Sequence, residues 1–202
     1  FYDADKGAVY VDGENVKSYE PKDLREKFGV VFQNDFLMAL SVRENIDFER
    51  GISDQAVRRA AAYARAEKFI GEHGGYEGML TARGSNFSGG QKQRLLIARA
   101  LADAPEILVL DDSSSALDYK TDAELRKTLL GDLHGTTVVM IAQRISSVRF
   151  ADHILVLDGG RMAGFGTDAE LMRSCEVYRA IFASQHEAGE MPPQGGELYA
   201  HE

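Results

Sequence analysis

Three β-prone runs after Pro105 constrain this chain most: Ile107 to Asp111, Thr137 to Ala142 and Ile154 to Asp158, separated by segments of helical pattern at 118–133 and 144–150. Strands that alternate with helices pair in parallel, because each crossover helix returns the chain to the same end of the sheet. The fold class is therefore α/β, a parallel sheet with helices on its faces. Upstream, "FGVVFQ" (28–33) reads as a short buried strand ending in the polar Gln33. "GAVYVDGENV" alternates around Asp12-Gly13, a two-residue hairpin signal that places antiparallel strands at 8–16.

Between these strands, from Ser41 to about Ala102, the pattern turns helical. Ser41 and Ser53 are suited to N-caps, and "AVRRAAAYARAEKFI" is rich in good helix formers. Near the end, "DGGRMAG" is a turn, and "TDAELMRSCEVYRAIFAS" opens with Thr167 and Glu170 at capping-box spacing before an amphipathic helix. "HEAGEMPPQGGELYAHE" is Gly, Pro and Glu rich and is expected to be a disordered tail.

The bulk properties exclude several function classes. A chain of 202 residues accommodates one sizeable core with at most a small subdomain. Its longest apolar runs fall far short of the roughly 20 residues that span a bilayer. The net charge of -9, with no local basic patch, argues against nucleic acid as a partner. The single cysteine, Cys175, precludes an internal disulfide and suits a reducing compartment. Five scattered histidines offer no zinc spacing, and Ser113 to Ser115 lack a histidine suited to a triad. His73, His134 and His153 read as surface or turn residues. The opening "FYDADKG" resembles the middle of a domain, so the chain is expected to be truncated at its start.

Two segments carry chemistry. "ILVLDDSSSALD" (107–118) sets Asp111 and Asp112 side by side where a strand ends, and such a pair needs a cation, a hydrogen-bond network or a role. "NFSGGQKQRLLIARAL" (86–101) places Ser88 and Gln91 at capping-box spacing around two glycines, ahead of an Ala and Leu rich helix. A helix start of that kind suits an anionic phosphate, although S-G-G-Q taken alone is equally a plain serine-capped turn.

Together these segments resemble ATP-binding cassette proteins. "FSGGQ" is similar to the signature motif L-S-G-G-Q, with Phe87 at its first position, and "ILVLDD" to the Walker B strand. "SALD" (115–118) resembles the D-loop, "VVFQ" the Q-loop at Gln33, and "MIAQR" the switch-histidine segment. The resemblance covers residues 1 to about 185. It implies an incomplete P-loop NTPase (RecA-like) core with a parallel sheet, N-terminal antiparallel strands and an inserted α-helical subdomain. The implied divisions are 1–33 and 103–185 for the two parts of the ATP-binding core, 34–102 for the helical signature subdomain, and 186–202 for the tail.

Within that family "RGSNFSGGQKQR" and "LSVRENI" resemble the exporter type, in which the nucleotide-binding domain follows a transmembrane domain on the same polypeptide. That places the expected parent protein at the cytoplasmic face of the cell membrane. Met79 and Ala82 stand in the loop that usually carries glutamates toward the partner's coupling helices.

The resemblance also assigns roles. Asp111 and Gln33 correspond to the residues that hold Mg²⁺, a hard ion suited to oxygen ligands. Asp112 stands at the catalytic glutamate position and is shorter by one methylene, roughly 1.5 Å of bond length. Gln143 replaces the switch histidine, and an amide can donate a hydrogen bond but cannot carry a proton. In the family two domains pair head to tail, so Ser88, Gly89, Gly90 and Gln91 would complete ATP binding at a second domain's site. An impaired own site beside an intact signature motif implies the degenerate half of a heterodimeric exporter. A homodimeric ATPase, or a regulatory cassette protein that does not transport, are the alternatives. No G-x-x-x-x-G-K-[ST] occurs in the 202 residues, so the isolated chain is expected to bind ATP poorly and to be inactive alone.

Overall fold

Asp12 and Gly13 both take positive φ, 52° and 82°, as a type I′ turn requires, and join β1 (Tyr10–Val11) to β2 (Glu14–Asn15) in an antiparallel pair. The computed structural model describes residues 3–112 and 117–187, in two compact units, 1–141 and 142–202. In the first unit the hairpin leads to α1 (Pro21–Glu26), which has Pro21 at its first turn, and to β3 (Phe28–Val31). There follow α2 (Val42–Asp47), α3 (Asp54–Tyr63), α4 (Glu67–Glu72) and α5 (Gly89–Leu101). The unit closes with β4 (Ile107–Asp111), α6 (Tyr119–Gly131) and β5 (Thr137–Ile141).

The three strands β3, β4 and β5 pair in parallel, in that order, with Gly29 opposite Leu108 and Leu108 opposite Val138. Leu108 and Leu110 of β4 alternate into the core, where Val31, Val42, Ile46, Leu95 and Ile97 meet them. At Gly29 the helix α5 comes so close to the sheet that a Cβ would collide with the carbonyl oxygen of Ala100 and the ring of Pro105. Glycine is required there by contact between backbones.

Ser41 and Ser53 cap α2 and α3 as expected, but the following helical pattern does not run unbroken. Arg65 takes φ 54° and separates α3 from α4. Tertiary partners hold the break: Arg65 Nε donates to Thr128 Oγ1 at 2.8 Å, and its carbonyl accepts from Arg94 at 2.8 Å. Local propensity favoured continuity, and these contacts override it.

The second unit contains α7 (Ile145–Val148), β6 (Ile154–Asp158), β7 (Arg161–Gly166), α8 (Asp168–Ser174) and α9 (Glu176–Glu187). Here the third strand of the sequence pattern departs from expectation. β6 pairs antiparallel with β7 through a turn in which Gly159 and Gly160 have φ 53° and 75°. The glycine pair reverses the chain at once, so the tight turn decides the pairing of this strand. The helix that opens at Thr167 also divides, because Cys175 is extended (φ −108°, ψ 111°) with its side chain buried against Ala163. Gly164 makes room, since a Cβ there would press on Leu171 and Cys175. Most of the C-terminal Gly, Pro and Glu rich stretch lies outside the described residues. Among the described residues no helix is long and apolar enough to cross a membrane.

Candidate functional site

α5 begins at Ser88, whose backbone is extended (φ −65°, ψ 161°). Its Oγ accepts from Gln91 N at 3.2 Å, and Gln91 Oε1 accepts from Ser88 N at 2.8 Å, which completes the capping box. The box uses the amides of positions 88 and 91 and leaves the N–H groups of Gly89 and Gly90 without an acceptor among the described residues. Ser88 and Gly89 are exposed and Gly90 is half-buried at the positive end of a 13-residue helix. Such an arrangement can bind an anionic oxygen.

Behind this start lies a packed aromatic group. Phe87 is buried at 4% exposure and stacks on His73, with ring centroids 4.3 Å apart and planes 24° from parallel. Phe69 meets Phe87 edge-on at 6.0 Å, and the Arg94 guanidinium lies over Phe69 at 4.6 Å. Phe87 is thus the floor of the segment. His73 stands, as expected, in a turn, the one that closes α4, and is half-buried in this stack, with Nδ1 2.8 Å from the Phe69 carbonyl. His134 and His153 are exposed as expected.

The far end of α5 carries a residue that motif reasoning passed over. Arg99, 11% exposed in its side chain, donates to Asn45 O at 2.7 Å, to Phe36 O at 3.1 Å and to Asn45 Oδ1 at 3.2 Å. It pairs with Asp35 at 3.6 Å and covers the Phe48 ring at 4.4 Å. Burial pushes its pKa down from the ordinary guanidinium value, and Asp35 opposes the shift. Asn45 is fully buried and gives its amide to the carbonyls of Met38, Leu40 and Ser41. Arg99 therefore joins α5 to the loop that begins at Gln33. The signal in the sequence was a charge four residues after Leu95, on the apolar face of α5.

Gln33 stands in the turn after β3 and is exposed. Asp111 is the last residue of β4, half-buried, opposite Ile141 of β5. Asp112 leaves the sheet in the left-handed region (φ 48°), and its N–H still donates to Ile141 O at 2.9 Å. Among non-glycine residues Asp and Asn tolerate this conformation best. Most of "SSSALD" lies outside the described residues, but Asp118 caps α6 by accepting from Thr121 N at 3.0 Å and Thr121 Oγ1 at 2.7 Å. The Thr121 backbone N–H, and then its hydroxyl, hold the Asp118 carboxyl below the usual carboxylate range. Gln143 belongs to the second unit, where its side chain is exposed and its carbonyl accepts from Gln185 Nε2 at 2.7 Å. Met79 and Ala82 are exposed on a loop tied to Leu40 by the Leu80 N–H.

The described residues include no group of three or more His, Cys, Asp or Glu arranged to hold a metal ion. Asp111 and Gln33 offer one carboxylate and one amide oxygen, a donor set that suits an ion retaining most of its waters. The amides of Gly89 and Gly90 suit phosphate oxygens.

A protein-family model described as ABC transporter matches residues 1–115. An ABC transporter ATP-binding protein of Mycoplasma pneumoniae is 38% identical over 200 residues, spanning 93% of this chain and 32% of that protein. The cyclolysin secretion/processing ATP-binding protein of Bordetella pertussis is 41% identical over 93% of this chain and 26% of its own length. A solved bacterial Atm1-family ABC exporter with ATP bound is similar over 91% of this chain and 32% of its own, with a TM-score of 0.85 and 34% identity. The chain thus spans about a third or less of the relatives it matches.

Proposed function

Since the chain belongs to the ABC transporter family, as a family match over just over half of its length establishes, we propose that it couples ATP binding to transport through two sets of residues with unequal roles. In this reading residues 1–33 and 103–185 form the ATP-binding core and 34–102 the helical signature subdomain. Asp111 and Gln33 hold Mg²⁺, which when bound supplies charge neutralisation at the phosphates. Asp112 and Gln143 are the impaired residues, the first shortened and the second unable to carry a proton. Ser88, Gly89, Gly90 and Gln91 complete the ATP site of a second nucleotide-binding domain from a different subunit. A transmembrane domain on the same polypeptide would receive the coupled motion, placing the assembly at the cytoplasmic face of the membrane.

The observation that carries this reading is the start of α5. The capping box satisfies its own members and leaves the Gly89 and Gly90 amides without an acceptor among the described residues, while Asp112 and Gln143 stand where the family usually has glutamate and histidine. ATP turnover by the full-length protein, reconstituted with its partner, tests it. Ser88→Arg is expected to abolish turnover, whereas Asp112→Asn is expected to retain most of it. Intact turnover in Ser88→Arg would sink the assignment of the signature segment. Loss of turnover in Asp112→Asn would favour the homodimeric ATPase.

A further inference from the structure

The α7 segment has a helix start that it does not cap itself. Ile145 is its first residue, and Arg144 before it contributes no side-chain cap. Arg144 is extended (φ −94°, ψ 125°), a conformation that turns the Gln143 carbonyl and the Ile145 N–H toward the same side. The carboxamide of Gln185, on α9 some forty residues later, spans both groups. Its Nε2 donates to the Gln143 carbonyl at 2.7 Å, and its Oε1 accepts from the Ile145 N–H at 3.0 Å. One side chain thus reproduces the pairing that a neighbouring strand would give and supplies the missing cap. Ile181 and Phe182 pack on the Ile145 cluster, so the polar clamp has an apolar base.

We propose that Gln185 is a positioning residue for the segment that bears Gln143, and that the C-terminal helix α9 sets the backbone from which that side chain acts. The inference rests on the reading above, in which Gln143 stands at the switch position. A carboxamide is suited to this task because it is donor and acceptor at once and does not titrate. The Gln143 side chain stays exposed while its main chain is held, as a residue that must reach a ligand requires. Motion of α9 would therefore be transmitted to residue 143 through two hydrogen bonds across 42 and 40 positions of sequence.

Two arms on the full-length protein test the proposal. In the first, amide hydrogen exchange is followed at Ile145 in Gln185→Met, which keeps length and helix propensity but has no carboxamide, and in Gln185→Glu, which retains only the acceptor. Exchange at Ile145 should quicken roughly two- to tenfold in Gln185→Met and less in Gln185→Glu, with the global unfolding midpoint nearly unchanged. In the second, turnover is read in a background carrying Asp112→Glu and Gln143→His, which restores the missing chemistry. Adding Gln185→Met there should lower kcat about three- to tenfold at unchanged KM. Unchanged protection at Ile145 overturns the proposal, as does an unchanged kcat when protection is lost, or a kcat that falls only in step with global stability. If the restored background gains no turnover over the natural chain, the reading of a degenerate site fails, while the exchange arm still decides whether Gln185 holds the segment.

Discussion

The two helix starts that bear site residues are built in opposite ways. At α5 the cap is local, because Ser88 and Gln91 satisfy each other within one turn, and the amides of Gly89 and Gly90 have no acceptor among the described residues. At α7 the cap is remote, because Gln185 reaches in from the last described helix. A locally closed start stays formed whatever its surroundings do. A remotely closed one depends on the element that closes it, and so is the more responsive to conformational change. The difference matches the proposed roles, a fixed signature segment presented to a partner and a switch segment that must move.

Three substitutions would break or sharpen this contrast. The largest effect is expected from Arg99→Met, which removes the anchor of α5 at its far end and leaves Asp35 without its cation. A loss of about 3 kcal/mol is expected by chemical denaturation. Exchange should rise across residues 35–38 and 45–48 but not at Ser88 or Gln91, whose amides the capping box protects. If the α5 start also loosened, its independence from the rest of the fold would be refuted. Next, Ser88→Ala should cost about 1 kcal/mol and free the amide of Gln91, with α7 unaffected. A comparable rise in exchange at Ile145 would mean that the two starts are coupled.

The smallest effect concerns α8, which uses the same local box as α5 but with a group that titrates. Thr167 N and then its hydroxyl donate to Glu170, and they hold its carboxyl below the usual glutamate range. A depressed folded pKa means that this stabilisation is complete above the ordinary unfolded value of about 4.3 and is lost as pH falls through the folded value. Glu170→Gln keeps the box without the charge. Its unfolding midpoint should therefore fall less steeply than that of the natural chain between about pH 5 and pH 3. Equal slopes would show that the carboxylate contributes nothing through ionisation.

What the sequence made legible follows the same line between local and remote. Ser41, Ser53, Ser88 and Thr167 announced their caps because each partner lies three residues on, and Asp12-Gly13 announced its turn because only those residues must adopt it. The break at Arg65 is held by Thr128 and Arg94, and the break at Cys175 by burial against the β6–β7 hairpin. Neither signal lies near the break itself. Arg99 and Gln185 were invisible for the same reason, since each acts on main-chain atoms whose identity no residue letter records. The residues of β6 resemble those of β4 and by themselves predict another parallel strand, while the glycines after it decide its direction.

The left-handed turn at Asp112 has a consequence for descent. Aspartate and glutamate are separated by a single base change, so exchange for the longer acid looks like a short mutational path. At φ 48°, however, the position favours the short side chains that can bond to their own backbone, and a residue without that ability sits there at a cost of about 1–2 kcal/mol. Exchange of Asp112 for glutamate therefore meets a backbone cost that the single base change does not reveal. A small strain in one peptide can decide which of two neighbouring codons a position accepts.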